Sequence, residues 1–178
     1  MDDYLNVNRE LWNGWTAIHR DSAFYDVPAW KAGKTSLNYL EREELGDVAG
    51  KSLLHLQCHF GMDTLSWARE GAQVTGVDLS DEAIATARRL SEEIGVPARF
   101  IQSDIYKLPD VLDEEFDVVF TSYGTVGWLP DIERWARVAA RYVRAGGVFY
   151  MAEFHPILNC IDEHTLLIVD NYFDPKPY

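Results

Sequence analysis

Short apolar runs alternate with stretches of helical periodicity along most of this chain. Ser52–Leu56 is an apolar run of strand length, and 62–70 sets Leu65, Trp67 and Ala68 at roughly helical spacing ahead of Gly71. Gln73–Asp78 is a β-branched run carrying Val74, Thr75 and Val77. A strand–helix–strand unit of this kind closes by a right-handed crossover, which lays its two strands side by side and parallel. Residues 80–94 predict a second helix: Ser80 caps it, Asp81 and Glu82 suit its positive start, and Ala83, Ile84, Ala87, Leu90 and Ile94 share a face before Gly95 and Pro97 end it. Further strands are predicted at 98–102, at 116–122 and, after a Gly146-Gly147 turn, at 148–154. Pro130-Asp131 opens the helix before that turn, with Ile132, Trp135, Val138 and Tyr142 toward the sheet. The alternation predicts a doubly wound, mostly parallel α/β sheet.

The flanks read differently. Residues 3–47 carry Tyr4, Trp12, Trp15, Phe24, Tyr25, Trp30 and Tyr39, and their pattern is helical in pieces with breaks at Gly14, Pro28 and Gly33. They precede the first strand, so they lie outside the repeating core. Two segments are therefore predicted, 1–47 and 48–178. Beyond Pro156, 166–169 reads as a strand or edge segment and Asp174-Pro175-Lys176-Pro177 as an extended end.

The candidate chemistry sits where such sheets open. Gln57, Cys58, His59, Phe60 and Gly61 fall at the carboxyl end of the first strand, where doubly wound sheets bind ligands. Asp78 ends the next strand, seventeen positions after Gly61. That is close to the spacing of about 20 at which a carboxylate reaches a ribose diol, so the unit suits an adenosine-type ligand. Thr121, Ser122, Tyr123 and Gly124 leave the fourth strand across the switch point, and Glu153, His155 and Pro156 end the fifth.

Five stretches, LLHLQCHFG, VTGVDLS, FIQSDIYKLP, FDVVFTSYGTVGWLPDI and YVRAGGVFYMAEFHP, resemble in order and spacing the successive motifs of class I S-adenosylmethionine-dependent methyltransferases. The resemblance covers about 50–156 and implies a Rossmann-like fold, with S-adenosylmethionine as cofactor and the leader as a helical lid over the crevice. The first loop departs from the family's D/E-x-G-x-G-x-G: this chain has His55, Gln57, His59 and Gly61, and the form HLQCHFG is identified with one bacterial branch. Trp30 to Ser36 resembles the W-x-x-G-K-T leader of thiopurine-type methyltransferases, which implies that Trp30, Lys34 or Ser36 meets the methionine end of the cofactor; a solvated turn is the other reading. In the family, the acidic residue after the third strand accepts from the adenine amino group and the next apolar residue packs on the ring. Here those are Asp104 and Ile105, after Ser103, although Asp104 also suits a local cap. Leu79 and Thr121 complete the implied cofactor set. The family's sheet has seven strands, and the chain after the fifth is too short for two more, so a shortened copy with an open sheet edge, suited to a homodimer, is expected.

Composition narrows the function. The 178 residues are 47% hydrophobic and 25% charged, ordinary for one domain with a core, and the net charge of -13 repels phosphate backbones. Nucleic acid is not expected as a partner. An acidic start and no long apolar run predict neither membrane span nor signal peptide, and two cysteines give no disulfide framework, so a cytoplasmic protein acting on a small molecule is expected. Cys58 with His55 and His59 makes no convincing metal site.

The leading expectation is methyl transfer to an oxygen, nitrogen or carbon of a small acceptor, chemistry that needs alignment and exclusion of water more than a fixed nucleophile. His155 and His19 are candidate bases, each with a structural reading beside it, and Trp128 is a substrate wall or a core plug. A non-catalytic binding or regulatory module on the same fold is the alternative. An NAD-dependent oxidoreductase is disfavoured because G-x-G-x-x-G is missing.

Overall fold

The computed structural model describes residues 2–173. Five strands, β1 (Ser52–Leu56), β2 (Gln73–Asp78), β3 (Arg99–Gln102), β4 (Phe116–Thr121) and β5 (Val143–Met151), form one sheet in the order β3-β2-β1-β4-β5. Every pairing is parallel. The chain turns from one half of the sheet to the other between β1 and β4, so the crevice opens at the carboxyl ends of those strands.

Helices α4 (Met62–Arg69) and α5 (Asp81–Ile94) pack one face with the short α2 (Val27–Lys31): Trp30, Phe60, Leu65, Ile84, Ala87 and Phe100 make a single buried cluster. Helix α6 (Ile132–Tyr142) and the 3-10 turn Ile105–Asp110 cover the other, joining Leu54, Leu56, Val119, Trp135 and Tyr142. Leu53, Trp67, Val74 and Phe120 fill a third cluster beneath α3 (Tyr39–Leu45). The nearly continuous burial of β1 and β4 is what a strand covered on both faces requires.

Several boundaries differ from the sequence reading, each for a physical reason. Helix α1 (Asp2–Arg20) runs unbroken through Gly14, because a glycine costs a helix only about 1 kcal/mol and 19 residues of helix absorb it. Pro28 lies in the first turn of α2, where its missing N–H is no loss, instead of breaking a helix. Strand β5 starts at Val143, not after the glycines: its register on β4 shifts between Phe116 and Val118, and Gly146 at φ 78° with Gly147 accommodates the irregularity inside the strand. Phe154 lies beyond it, and Ile132, 50% exposed, faces solvent instead of the sheet. Within 166–169 there is one antiparallel bridge, Ile161 to Ile168, and no strand. Asp174-Pro175-Lys176-Pro177 lies outside the described residues.

On β5, Val148, Phe149 and Met151 are between 41% and 48% exposed, although Phe149 meets Trp135 of α6 and Tyr150 stacks on Phe120, so this edge strand is only partly covered. No helix among the described residues is long and apolar enough to cross a membrane.

Candidate active site

The loop leaving β1 turns by left-handed residues. Gln57, His59 and Gly61 have φ of 53°, 50° and 79°, on alternate positions. Left-handed backbone costs a non-glycine residue about 1–2 kcal/mol, so the first two must be held there. Cys58 N donates to Val77 O at 2.9 Å, Gly61 N to Cys58 O at 2.9 Å, and His59 N to the Asp78 carboxylate at 2.7 Å. Gln57 Oε1 accepts from Trp135 Nε1 at 3.2 Å. The hydrogen bonds thus hold angles that glycine would adopt freely. Only the last position is closed to a side chain, for a Cβ on Gly61 would lie 2.8 Å from the Phe100 ring.

Asp78 closes the loop onto the next strand. Its second oxygen accepts from Ser80 N at 2.8 Å, so both carboxylate oxygens are tied to backbone amides. Lost hydration pushes the carboxyl up to about 6, with the Ser80, His59 and Leu79 amides opposing that rise. A cleft of about 520 Å³ runs between Leu5, Asn6 and Arg9 of α1 and Leu79, Ser103 and Asp104, which follow the carboxyl ends of β2 and β3. Asp104 accepts from Tyr106 N at 2.9 Å and caps the turn that follows, while Ile105 is buried in the core.

His55 occupies the family's acidic position at the end of β1. It is 1% exposed, with Nδ1 2.8 Å from Thr64 Oγ1 and Nε2 3.3 Å from Ser122 Oγ, and burial pulls it down to about 3, so the ring is neutral. Acidity appears instead nearby. Burial pushes Asp63 up to about 6 against hydrogen bonds with Ser36 and Ser122, and fully buried Glu41 accepts from Asn38 N at 2.9 Å and Tyr123 Oη at 2.8 Å.

Helix α1 reaches across the carboxyl ends. Asn13 accepts from Ser80 Oγ at 2.6 Å and donates to Asp81 at 2.9 Å, and Asn8 donates to Trp128 O at 3.1 Å. Trp12 meets Trp128 and His59 with ring centroids 5.4 and 5.2 Å apart, and His19 Nδ1 lies 3.0 Å from His59 Nε2. Trp128 is 37% exposed and stands against α1, so it is not a core plug. Its loop is held by Glu153, whose carboxylate accepts from the amides of Gly124, of Thr125 and Phe154 at 2.8 Å and of Val126 at 3.0 Å. Burial raises this carboxyl, but the four amides together outweigh it and hold it below its usual value.

The leader motif is placed differently from the resemblance. Trp30, 1% exposed, is a core residue: its Nε1 donates to Ser66 Oγ at 2.9 Å and Arg69 stacks on its ring at 4.5 Å. Lys34 pairs with Asp26 at 3.5 Å on the surface, and Ser36 bonds Ser66 at 2.9 Å. Thr121 Oγ1 donates to Leu56 O at 3.4 Å beside the β1 loop. His155 caps a 3-10 turn by accepting from Ile157 N at 3.2 Å and stacks on Tyr172. Asn13 and Asp63 carried no local signal, since each acts on residues distant in sequence, and Glu153 was placed at a strand end without its role in holding the 124–126 loop. Among the described residues no group of three or more His, Cys, Asp or Glu is placed to hold a metal.

A family model described as a methyltransferase domain matches residues 54–151. Ubiquinone biosynthesis O-methyltransferases are similar: that of Photorhabdus laumondii subsp. laumondii is 31% identical over 124 residues, 69% of this chain and 51% of that protein. The Proteus mirabilis protein is 33% identical over 124 residues, 69% and 50% respectively. The chain therefore spans about half the length of the curated relatives it matches. A solved complex of DhpI with SAH superposes with a TM-score of 0.65 at 23% identity, covering 86% of this chain and 70% of that one, a likeness of fold. A protein solved for the conversion of a disulfide bond into a thioacetal group during echinomycin biosynthesis gives 0.57 at 31% identity, covering 68% and 52%.

Proposed function

The chain belongs to the methyltransferase domain family, and from that premise we propose that it binds S-adenosylmethionine and transfers the methyl group to a small-molecule acceptor. The residues present fit the cofactor. The cleft of about 520 Å³ beside Leu79, Ser103 and Asp104 has the size of a small-molecule site. The Asp78 carboxylate retains acceptor capacity for a ribose hydroxyl, and Gln57 Nε2 is a buried polar atom without a partner among the described residues. The observation that carries the reading is the β1 loop, whose three left-handed residues turn its backbone onto the Asp78 carboxylate.

In this reading Asp78 holds the ribose, Leu79 and Asp104 meet the adenine with Ile105 behind them in the core, and Ser103 and the Gln57–Gly61 loop enclose the rest. Bound cofactor supplies an electrophilic methyl, so the protein's work is to align the acceptor and exclude water. Helix α1 with Trp12 and Trp128 serves the second task as a lid, which makes 1–47 a covering segment over a 48–178 core. His55 lies behind the loop and supports Thr64 and Ser122, while Trp30 and Ser36 act through Ser66 of α4 and Lys34 pairs with Asp26, so these three hold the leader to the core and not the cofactor.

The curated relatives named above methylate oxygen by name, which favours a hydroxyl acceptor here. The net charge of -13 argues against nucleic acid, and reduced buried Cys58 and Cys160 suit the cytoplasm. HLQCHFG is the loop form identified with one bacterial branch, which supports membership there, and the exposed side chains of the β5 edge suit self-association.

Thermal unfolding with S-adenosylhomocysteine and, in parallel, with NAD tests the reading. At about 100 times its dissociation constant a ligand adds about 2.7 kcal/mol, several degrees in midpoint. A shift with S-adenosylhomocysteine alone is expected; a shift with NAD alone, or with neither, would refute it.

A further inference from the structure

Methylation of a hydroxyl leaves a proton to be removed, and two histidines touch beside the candidate cofactor site. His19 Nδ1 on α1 lies 3.0 Å from His59 Nε2 on the β1 loop. One of these nitrogens must carry a hydrogen and the other a lone pair. The other ring nitrogen of His59, Nδ1, is buried with no partner among the described residues, although enclosed polar atoms nearly always have one. Around it stand Trp12, Tyr25 and Phe60, with centroids 5.2, 5.9 and 4.4 Å from the His59 ring. Flat apolar walls with one unmatched polar atom suit a planar ligand that brings one hydroxyl.

We propose that His59 and His19 form a proton relay, in which His59 Nδ1 takes the proton of a phenol-like acceptor hydroxyl and His19 passes a proton to solvent. This role rests on the methyl-transfer reading. S-adenosylmethionine, when bound, supplies the methyl group, and the electron pair of the broken carbon–sulfur bond stays on sulfur. As the oxygen–methyl bond forms, the hydroxyl proton moves to His59 Nδ1. The Nε2 proton of His59 moves to His19 Nδ1, and partly exposed His19 gives its Nε2 proton to water. One proton leaves for each positive charge lost from sulfur, so charge balances.

Burial, with His19 alongside, holds His59 down to about 3, and burial lowers His19 as well. A weak base is sufficient here, because an oxygen being alkylated becomes a strong acid, and a weak base does not retain the proton it receives. Each ring nitrogen is then an acceptor for transit, not storage.

Nitrogen NMR of the 15N-histidine-labelled chain, with 4-nitrocatechol as probe acceptor, tests the relay without requiring a variant. With S-adenosylhomocysteine at saturation, His59 should show an unprotonated Nδ1 and a protonated Nε2, and 4-nitrocatechol should shift Nδ1 while His55 stays in place. With S-adenosylmethionine at saturation, His59→Asn, which tolerates left-handed backbone, should lower kcat on 4-nitrocatechol by about 100-fold. His19→Gln, on a surface helix, should slow turnover less and move the His59 resonances. A protonated Nδ1, an Nδ1 that 4-nitrocatechol leaves unmoved, or undiminished turnover by either variant overturns the relay alone. Failure of the wild-type chain to bind S-adenosylhomocysteine overturns the methyl-transfer reading and the relay with it.

Discussion

Replacing Gly61 by alanine should be among the most damaging single-methyl additions in this chain. Two costs combine. The residue sits at φ 79°, which an L side chain pays for with about 1–2 kcal/mol. The added Cβ would also lie 2.8 Å from two ring carbons of Phe100 and 2.9 Å from Ala87 Cβ, where ordinary contact begins at 3.4 Å. Phe100 must therefore retreat by about 0.6 Å (3.4 minus 2.8) into a cluster where Ala87 and Leu90 are already buried. Overpacking of this kind costs about 1–3 kcal/mol, so the total is about 2–5 kcal/mol, against a typical whole-domain stability of about 5–15 kcal/mol. Urea titration should show a lower midpoint with an unchanged slope. Phe100→Leu in the same background should return the steric share but not the torsional one, a coupling of about 1–3 kcal/mol in the double-mutant cycle. A loss under about 1 kcal/mol, or the same loss with leucine at 100, would refute the account of why glycine stands here.

Asp78→Ala should weaken S-adenosylhomocysteine by about 1.5–3 kcal/mol in calorimetry, the worth of hydrogen bonds to a charged group, and unchanged affinity in a folded variant removes Asp78 from the site. In the wild-type chain that affinity should decline as pH falls through about 6, where the carboxylate takes up a proton; a flat titration from pH 7.5 to 5 contradicts it. Stability has two opposing pH terms. The unfolded chain protonates histidine from about 6.5 downward while His55 and His59 wait until about 3, so these two lose stability as pH falls below 6.5. Asp63 and Asp78 take up protons near 6 when folded and near 3.8 when unfolded, so they gain stability over that window. Asp63→Asn with Asp78→Asn should thus steepen the fall in thermal midpoint between pH 6 and 4, and an unchanged slope would show that the carboxyls titrate normally. Asn13→Ala should loosen α1 by removing its ties to Ser80 and Asp81, seen as faster amide exchange in 2–20; exchange equal to wild type would mean that the aromatic contacts alone hold the helix.

The sheet was legible because it is written locally. A β-branched run such as Val74 to Val77 and a helix capped by Ser80 need nothing beyond their own spacing, and the crossover rule orders the strands. Strand β5 was misplaced at its start because a glycine pair signals a turn, whereas here its freedom serves a register shift that only the partner strand reveals. The site divided the same way. Asp78 followed from strand-end position, and it does face the β1 loop. Trp30 was drawn to the cofactor by a short leader resemblance, yet its Nε1 finds Ser66, 36 positions on, and it packs in the core. Glu153 holds amides 27 to 29 positions back, and Asn13 reaches 67 positions forward, contacts that no local periodicity encodes.

The β1 loop also bears on how such sites are recognised in other chains. A motif written as three glycines is shorthand for three dihedral angles, and here two of them are kept by glutamine and histidine under the discipline of Val77, Asp78 and Trp135. The alphabet can drift while the torsions stay fixed, provided the neighbours hold them. Relatives that look degenerate by letter should therefore be sorted by whether they keep the acceptors that pin the turn. Each freed position is then a place where a side chain enters the crevice, adding chemistry that a glycine loop has no atoms to supply.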